Sequence, residues 1–208
     1  SERFGFQEMS TPIFEFSDVF KRTLGEASDI VNKEMYTFAD RNGEELTLRP
    51  EGTAGIARSF ISEGLSQRTP FKIFYCGPMF RYERPQKGRQ RQFNQFGVEL
   101  MGTPSPYADV ECLSLAYEVL KELKVGNLAK LEINSIGDEE SRAGYLKALV
   151  AFLKAKESQL SADSQRRLSQ NPMRILDSKD ANDQALLQNA PVISDFYNAS
   201  SKEFFESV

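Results

Sequence analysis

The sequence contains no histidine and no tryptophan, and only two of its 208 residues are cysteines. The lack of histidine excludes Ser-His-Asp and Cys-His triads, histidine-ligated zinc and imidazole acid–base catalysis. Cys76 and Cys112 have neither metal-ligand nor redox spacing, so we interpret them as buried thiols of a protein from the reducing cytoplasm. Any chemistry must therefore use carboxylates, arginine or lysine, hydroxyls, the backbone or a bound metal ion.

Long apolar runs and a strong net charge are also missing. No run of about 18 apolar residues is present that could span a bilayer, which predicts no membrane partner. The 26 Lys and Arg residues against 30 Asp and Glu give a net charge of −4, so any nucleic-acid contact needs a local basic patch. The sequence starts abruptly, without an initiator Met or a signal-peptide pattern, and we expect it to be part of a longer chain.

Alternating apolar and polar residues predict two β-hairpins. Residues 36–38 and 46–48 flank the turn sequence Asp40-Arg41-Asn42-Gly43. Residues 71–84 and 92–101 form a second and longer pair of strand-like runs, and residues 130–136 predict one further strand. These runs indicate an antiparallel sheet.

Helix signals surround these strands. Ser17 is a good N-cap for a helix that ends at Leu24, and Thr53 is one for a helix that ends near Leu65. Ser105, followed by a proline at the first helical position, opens a third helix.

The pattern changes after Gly137, where apolar residues at helical spacing predict helices without strands. The predicted helices cover residues 139–157, 161–170, 180–189 and 200–206. The predicted fold class is therefore α+β, with an antiparallel β-sheet flanked by helices over residues 1–137 and a small helical domain over residues 138–208.

Strand alternation separates the side chains of the second hairpin onto two faces. The predicted polar face carries Arg81, Glu83, Gln95 and Glu99. The predicted core face, which packs against helices, carries Phe96, Val98 and Leu100. Polar groups on an enclosed sheet are costly unless satisfied, so this pattern favours ligand recognition, and Gly97 would let a ligand approach the sheet. A solvated sheet face with incidental charges is the open alternative.

Two loops have a similar ambiguity. Four cations within eight residues form a local phosphate-binding patch or a solvated turn; they are Arg84, Lys87, Arg89 and Arg91. The segment Pro50-Glu51-Gly52-Thr53 has two interpretations. In the first, Glu51 is a solvated carboxylate and Thr53 is a helix cap. In the second, both residues accept hydrogen bonds from an ammonium group.

Six runs of residues together carry a resemblance to a known family. They are Phe20-Lys21-Arg22, Gly25-Glu26, Lys33-Glu34-Met35-Tyr36-Thr37-Phe38, Leu48-Arg49-Pro50-Glu51-Gly52-Thr53, Gly77-Pro78-Met79-Phe80-Arg81-Tyr82-Glu83-Arg84-Pro85-Gln86-Lys87-Gly88-Arg89 and Arg91-Gln92-Phe93-Asn94-Gln95-Phe96-Gly97-Val98-Glu99. They resemble the histidyl-tRNA synthetases, which are class II aminoacyl-tRNA synthetases. Leu131-Glu132-Ile133-Asn134-Ser135-Ile136-Gly137 and Leu176-Asp177-Ser178-Lys179 are similar to the approach to, and interior of, that family's helical insertion domain.

The resemblance implies an ATP-dependent ligase of protein biosynthesis. The carboxylate of histidine attacks the α-phosphate of ATP to give histidyl-adenylate, and the histidyl group then passes to the 3′ end of tRNA(His). The implied cofactors are ATP and the Mg²⁺ bound with it, without a dedicated protein metal site. The implied parent protein is a cytoplasmic homodimer.

The same resemblance implies roles for individual residues. Arg81 is the catalytic arginine of motif 2, which contacts the α-phosphate, and Glu83 recognises adenine. Glu51 and Thr53 hold the amino group of histidine, whereas Gln95 and Glu99 complete the histidine pocket. Arg89 serves the nucleotide phosphates or the tRNA end, and the tRNA-binding candidates beside it are Lys87 and Arg91.

Parts of the family pattern are missing. The long helix that begins motif 1 would precede residue 1, which leaves only its terminal strand and Pro12. The family's Arg-Gly-Leu-Asp-Tyr-Tyr segment, its motif 3 and its anticodon-binding domain are not found in the sequence. We therefore expect a fragment with half an active site, which is inactive or very weak in adenylation.

Two alternatives stay open. The first is the regulatory paralogue of this synthetase, which binds histidine and supports ATP phosphoribosyltransferase without charging tRNA. The cationic loop and the helical insertion favour the synthetase, because a histidine sensor has little use for a loop that contacts an acceptor stem. The second alternative is a structural domain that has retained no binding.

Overall fold

The computed structural model describes residues 1–25 and 28–208, so Glu26 of the run Gly25-Glu26 lies outside the described residues. The described chain divides into two compact units, Ser1–Leu128 and Ala129–Val208. The domain boundary after residue 137 stays a prediction. Among the described residues, no helix is both long enough and apolar enough to cross a membrane.

Two three-stranded sheets form the framework of the first unit. The first sheet has the order β1 (Gln7–Glu8), β5 (Phe71–Phe80), β6 (Gln92–Met101), with β1 parallel and β6 antiparallel to β5. The second sheet is antiparallel and has the order β2 (Phe14–Phe16), β4 (Glu45–Leu48), β3 (Tyr36–Ala39). Both predicted hairpins are present, and the α+β class is confirmed.

In the described part of the first unit, three α-helices accompany these sheets: α1 (Ser17–Leu24), α2 (Thr53–Ser62) and α3 (Pro106–Glu122). The start of α3 agrees with the prediction, because the Ser105 side chain accepts a hydrogen bond from the Tyr107 N–H. The two other predicted N-caps are wrong. Ser17 is the first helical residue of α1 and its hydroxyl is hydrogen-bonded to Thr47 in the interior, while Thr53 follows the N-cap Gly52.

The second unit contains four α-helices: α4 (Glu139–Lys154), α5 (Ala162–Gln170), α6 (Ala181–Leu187) and α7 (Ala199–Ser207). They correspond to the four predicted helices. The buried core of this unit consists of residues from α4, α5 and the segments between the helices: Tyr145, Leu149, Leu153, Leu160, Leu168, Ile175 and Ile193. The predicted strand over residues 130–136 is wrong, because this segment pairs with no strand among the described residues and Leu131 is 69% exposed.

The two faces of the β5–β6 hairpin differ from the prediction. Ile73, Tyr75 and Met79 of β5 are buried in one cluster with Ile56 of α2. Their face of β6 carries the predicted polar side chains, since Gln95, Gly97 and Glu99 are the partners of Gly77, Tyr75 and Ile73. Core and polar residues therefore share one face, because apolar β5 residues stand opposite polar β6 residues.

The opposite face of the hairpin is less buried than predicted. Phe96, assigned to the core from its parity, is 45% exposed. Its cross-strand partner Cys76 is also exposed, so the interpretation of Cys76 as a buried thiol is wrong. Cys112 on α3 is half-buried, and burial raises the pKa of its thiol.

Candidate functional site

The candidate site lies where the start of α2 meets the β5–β6 hairpin. The segment that leads from β4 to α2 is tied to the end of β5 by two hydrogen bonds. The Phe80 N–H donates to the Arg49 carbonyl at 3.0 Å, and Arg49 Nε donates to the Pro78 carbonyl at 2.9 Å. These bonds bring Glu51 and Thr53 beside the polar residues of β6.

Glu51 is a buried carboxylate at the N-terminus of α2. It accepts hydrogen bonds from the backbone N–H groups of Thr53 at 2.6 Å and Ala54 at 2.8 Å, and its residue is 7% exposed. These N–H groups lack partners within the helix, and the positive end of the helix dipole stabilises the charge. Glu51 thus performs the capping that was predicted for Thr53.

Thr53 connects α2 to β6. Its hydroxyl donates to Glu99 Oε1 at 2.7 Å. Burial raises the pKa of Glu99, the hydrogen bond from Thr53 lowers it, and the nearby carboxylate of Glu51 raises it further. The net pKa of Glu99 lies above its ordinary value. The two carboxylates therefore form a negative site whose charge a bound cation would stabilise.

Gln95 contributes an unpaired acceptor to the same face of β6. Its Oε1 atom is buried and lacks a hydrogen-bond partner among the described residues. Leaving a buried amide oxygen unpaired is unfavourable, and an N–H donor from a ligand would remove the penalty. Glu51, Thr53, Gln95 and Glu99 together provide acceptors for a ligand with several N–H groups.

Tyr75 is a site residue that the sequence reasoning missed. A Cβ atom at Gly97 would lie 2.4 Å from Tyr75 Oη, and one at Gly52 would lie 2.3 Å from Tyr75 Cε2. The ring therefore occupies space that both glycines leave. The prediction that Gly97 leaves room for a ligand is wrong, because the Tyr75 side chain fills that room. The two glycines were visible in the sequence, but their partner depends on the strand register.

Arg81 directly follows β5 and is held by the segment that carries Glu51. Its Nε donates to the Pro50 carbonyl at 2.8 Å, and its guanidinium lies 5.4 Å from the centre of the Phe93 ring. The Arg81 N–H also donates to the Arg91 carbonyl at 2.9 Å. The first two contacts hold the guanidinium of the catalytic candidate, and the third holds its main chain.

The loop between β5 and β6 brings together further predicted residues. Glu83 and Arg89 form an ion pair at 2.8 Å. The Arg91 guanidinium lies over the Tyr82 ring, 4.0 Å from its centre, while Lys87 is exposed in the turn. The nine predicted site residues thus form two groups, one at the start of α2 and one in this loop.

Arg49 is a second residue that the sequence reasoning missed. It is buried, and its Nη1 donates to the Thr11 carbonyl at 2.7 Å. Burial lowers the pKa of its guanidinium. A Cβ atom at Gly77 would lie 2.7 Å from Arg49 Nη2, so Gly77 provides the space for this side chain.

The acidic residues of the site do not form a metal-binding group. Across residues 1–25 and 28–208, there is no cluster of three or more Cys, Asp or Glu side chains that could hold a metal ion.

Comparison with known proteins identifies the family. The family model described as histidyl-tRNA synthetase matches residues 1–199. A histidine–tRNA ligase of Rhodospirillum rubrum is 58% identical over 208 residues, which are 100% of this chain and 50% of that protein. One of Gluconobacter oxydans is 53% identical over 205 residues, 99% of this chain and 49% of that protein. The chain spans about half the length of the curated relatives it matches.

Solved structures agree with this assignment. The apo histidyl-tRNA synthetase of S. aureus superimposes with a TM-score of 0.72 at 38% identity, covering 100% of this chain and 46% of that one. An ATP phosphoribosyltransferase regulatory subunit/histidyl-tRNA synthetase from Bacillus halodurans has a TM-score of 0.53 at 21% identity, covers 99% of this chain and 56% of that one, and shows a shared fold alone. The sequence matches and the S. aureus structure establish that this chain belongs to the histidyl-tRNA synthetase family.

Proposed function

We propose that this chain supplies the histidine site and the motif 2 part of the ATP site of a histidine–tRNA ligase. The observation that carries the proposal is the buried, unpaired Oε1 of Gln95, on the face of β6 that also carries Glu99, the hydrogen-bond partner of Thr53. A ligand with several N–H groups would satisfy these acceptors. Relatives 50–58% identical are named histidine–tRNA ligase, which supports the synthetase over the regulatory paralogue.

Histidine presents two kinds of donor to this site. Its ammonium group would bind Glu51 and the Thr53 hydroxyl, next to the N-terminus of α2. Its ring N–H would bind Glu99 and Gln95 on β6. An analogue without one of these donors would leave a buried acceptor unpaired, which is the basis for strong discrimination.

Arg81 would act on the α-phosphate of ATP. Charge develops on this phosphate when the histidine carboxylate attacks it, and a cation placed in advance stabilises that charge. The bond from Arg81 Nε to the Pro50 carbonyl directs the guanidinium before substrates bind. This bond also couples the position of Arg81 to Glu51, the next residue after Pro50.

The loop residues would serve the nucleotide and the tRNA. Glu83 would recognise adenine, and Arg89, its ion-pair partner, would serve the phosphates or the tRNA end. Lys87 and Arg91 are exposed and would contact tRNA(His). Mg²⁺ would bind with ATP and neutralise phosphate charge.

The proposal extends to the whole protein. Its parent would be a cytoplasmic homodimer, in which residues 1–137 belong to the catalytic core and residues 138–208 to the helical insertion domain. The chain alone, which spans half the length of its relatives, would adenylate weakly or not at all.

The test is histidine-dependent pyrophosphate exchange with ATP and Mg²⁺. It is measured on the 208-residue chain and on the full-length product of the gene that encodes this chain, called the full product below. We expect exchange by the full product and a loss of about 100-fold or more in its Arg81→Gln variant, the scale for removing a group that stabilises transition-state charge. Arg41→Gln, in the exposed β3–β4 turn, is the matched control and should keep full activity.

Two results would contradict the proposal. A full product that binds histidine without exchanging pyrophosphate would identify the regulatory paralogue. A full product that binds neither histidine nor ATP would reduce the chain to a structural domain.

A further inference from the structure

We infer that Tyr75 is a specificity-determining residue of the amino-acid site, because its ring forms the floor against which the histidine ring packs. The inference deepens the proposed function and rests on it. It follows from the positions of two glycines and one aromatic ring.

The ring lies between two glycines that are chain neighbours of the predicted histidine ligands. Gly52 stands between Glu51 and Thr53 in the chain, and a Cβ atom there would overlap the ring at 2.3 Å. Gly97 stands between Gln95 and Glu99 on the same face of β6, and a Cβ atom there would overlap it at 2.4 Å. A side chain that fills both spaces interacts with the Thr53 side chain and lies near the carboxylates of Glu99 and Glu51.

The ring and the hydroxyl of Tyr75 contribute differently. The ring determines how deep the site is, since it takes up the volume that Gly52 and Gly97 leave. The hydroxyl lies at Gly97 and interacts with the Thr53 side chain, whose own hydroxyl donates to Glu99. The ring should therefore control which amino acids fit, and the hydroxyl should control how tightly histidine binds.

Two substitutions in the full gene product separate these contributions. Tyr75→Leu shortens the side chain and deepens the site, whereas Tyr75→Phe keeps the ring and removes only the hydroxyl. The assay is pyrophosphate exchange with histidine and with 2-methylhistidine and 5-methylhistidine, which keep both ring nitrogens unsubstituted. Tyr117→Phe, at an exposed tyrosine of α3, is the matched control.

We expect Tyr75→Leu to raise the kcat/KM of at least one methylated analogue relative to histidine by about tenfold or more, the scale on which a pocket discriminates one methyl group. Tyr75→Phe should leave this ratio unchanged and raise the KM for histidine about fivefold at constant kcat, because it removes the hydroxyl that interacts with the Thr53 side chain. The control should change neither quantity.

A folded Tyr75→Leu variant that loses activity equally toward histidine and the analogues would overturn the inference, because Tyr75 would then act through stability alone. If circular dichroism shows that this variant does not fold, Tyr75→Met, which adapts to irregular space, takes its place with the same expected ratio. A wild-type protein that fails to exchange with histidine would refute the proposed function itself. These outcomes separate the failure of the inference from that of the proposed function.

Discussion

Asp183 is expected to be the most important single polar residue for the stability of the second unit. It is fully buried on α6, and its carboxylate accepts four hydrogen bonds. The donors are the N–H and hydroxyl of Ser161, at 2.8 and 2.7 Å, and the hydroxyls of Ser164 and Ser178, both at 2.6 Å. One side chain thus connects the start of α5, the segment before α6 and α6 itself.

The pKa of Asp183 provides the magnitude. Burial would raise the pKa, but the hydrogen bonds from Ser164, Ser178 and Ser161 outweigh it and lower the pKa from 3.8 to about 2. This difference corresponds to about 2 kcal/mol of stability. Because the unfolded chain binds the proton more tightly, the contribution is complete above about pH 5 and disappears as the pH falls through about 4 to 2.

The substitution Asp183→Asn tests this reasoning, because it keeps the shape of the side chain and removes the charge. We expect it to lower the free energy of unfolding by about 2 to 4 kcal/mol at pH 7. The serine donors that now bind the carboxylate would then face the NH₂ group of the asparagine, which is itself a donor. Between about pH 5 and pH 2, wild type should lose about 2 kcal/mol more than the variant.

The assay is urea unfolding followed by circular dichroism, together with hydrogen exchange at the Leu149 and Leu153 amides, which report the second unit by itself. Asp195→Asn is the matched control, because Asp195 is an exposed carboxylate of the same unit and should change stability by less than about 0.5 kcal/mol. The reasoning would be refuted by an Asp183→Asn protein as stable as wild type at pH 7. Parallel pH curves for the two proteins would refute it equally.

Two further predictions concern the candidate site. Gly97→Ala should destabilise the first unit by about 1 to 3 kcal/mol, because its methyl group would overlap the Tyr75 ring. Urea unfolding measures this, and a neutral effect would contradict the packing. Gly126→Ala is the matched control, because a Cβ atom there would meet its nearest neighbour at an ordinary 3.5 Å. The raised pKa of Glu99, caused first by burial, predicts that histidine affinity falls as the pH drops through a value above the ordinary 4.5, since protonation removes the acceptor charge. Calorimetric titration of histidine against pH should show this dependence in wild type and a weaker, flatter affinity in Glu99→Gln; equal pH profiles would disprove the assignment.

Short-range signals in the sequence were sufficient for most of the secondary structure. The turn at residues 40–43 lies between β3 and β4, and Ser105 caps α3 as predicted. The apolar spacing after Gly137 predicted a helix over residues 139–157, and α4 in that range buries Leu149 and Leu153 in the core. These features depend on residues within a few positions of one another, so the chain pattern predicts them without knowledge of the fold.

Alternation within β6 also predicted that Gln95, Gly97 and Glu99 share a face, because side chains of one strand alternate independently of its partner. The register with β5 and the position of α2 decided what that face meets. They place Tyr75 opposite Gly97 and bury it between two glycines, where a ligand had been expected.

Tertiary contacts likewise decided the use of each hydroxyl and carboxylate. Ser17 and Thr53 have good capping side chains, but their hydroxyls bond to Thr47 and Glu99, and Glu51 caps α2 instead. The apolar pattern at residues 130–136 did not produce a strand, because a strand needs a partner for its backbone groups. The sequence by itself determined the local elements and the family, whereas the tertiary structure decided the pairing of distant residues, which no local pattern encodes.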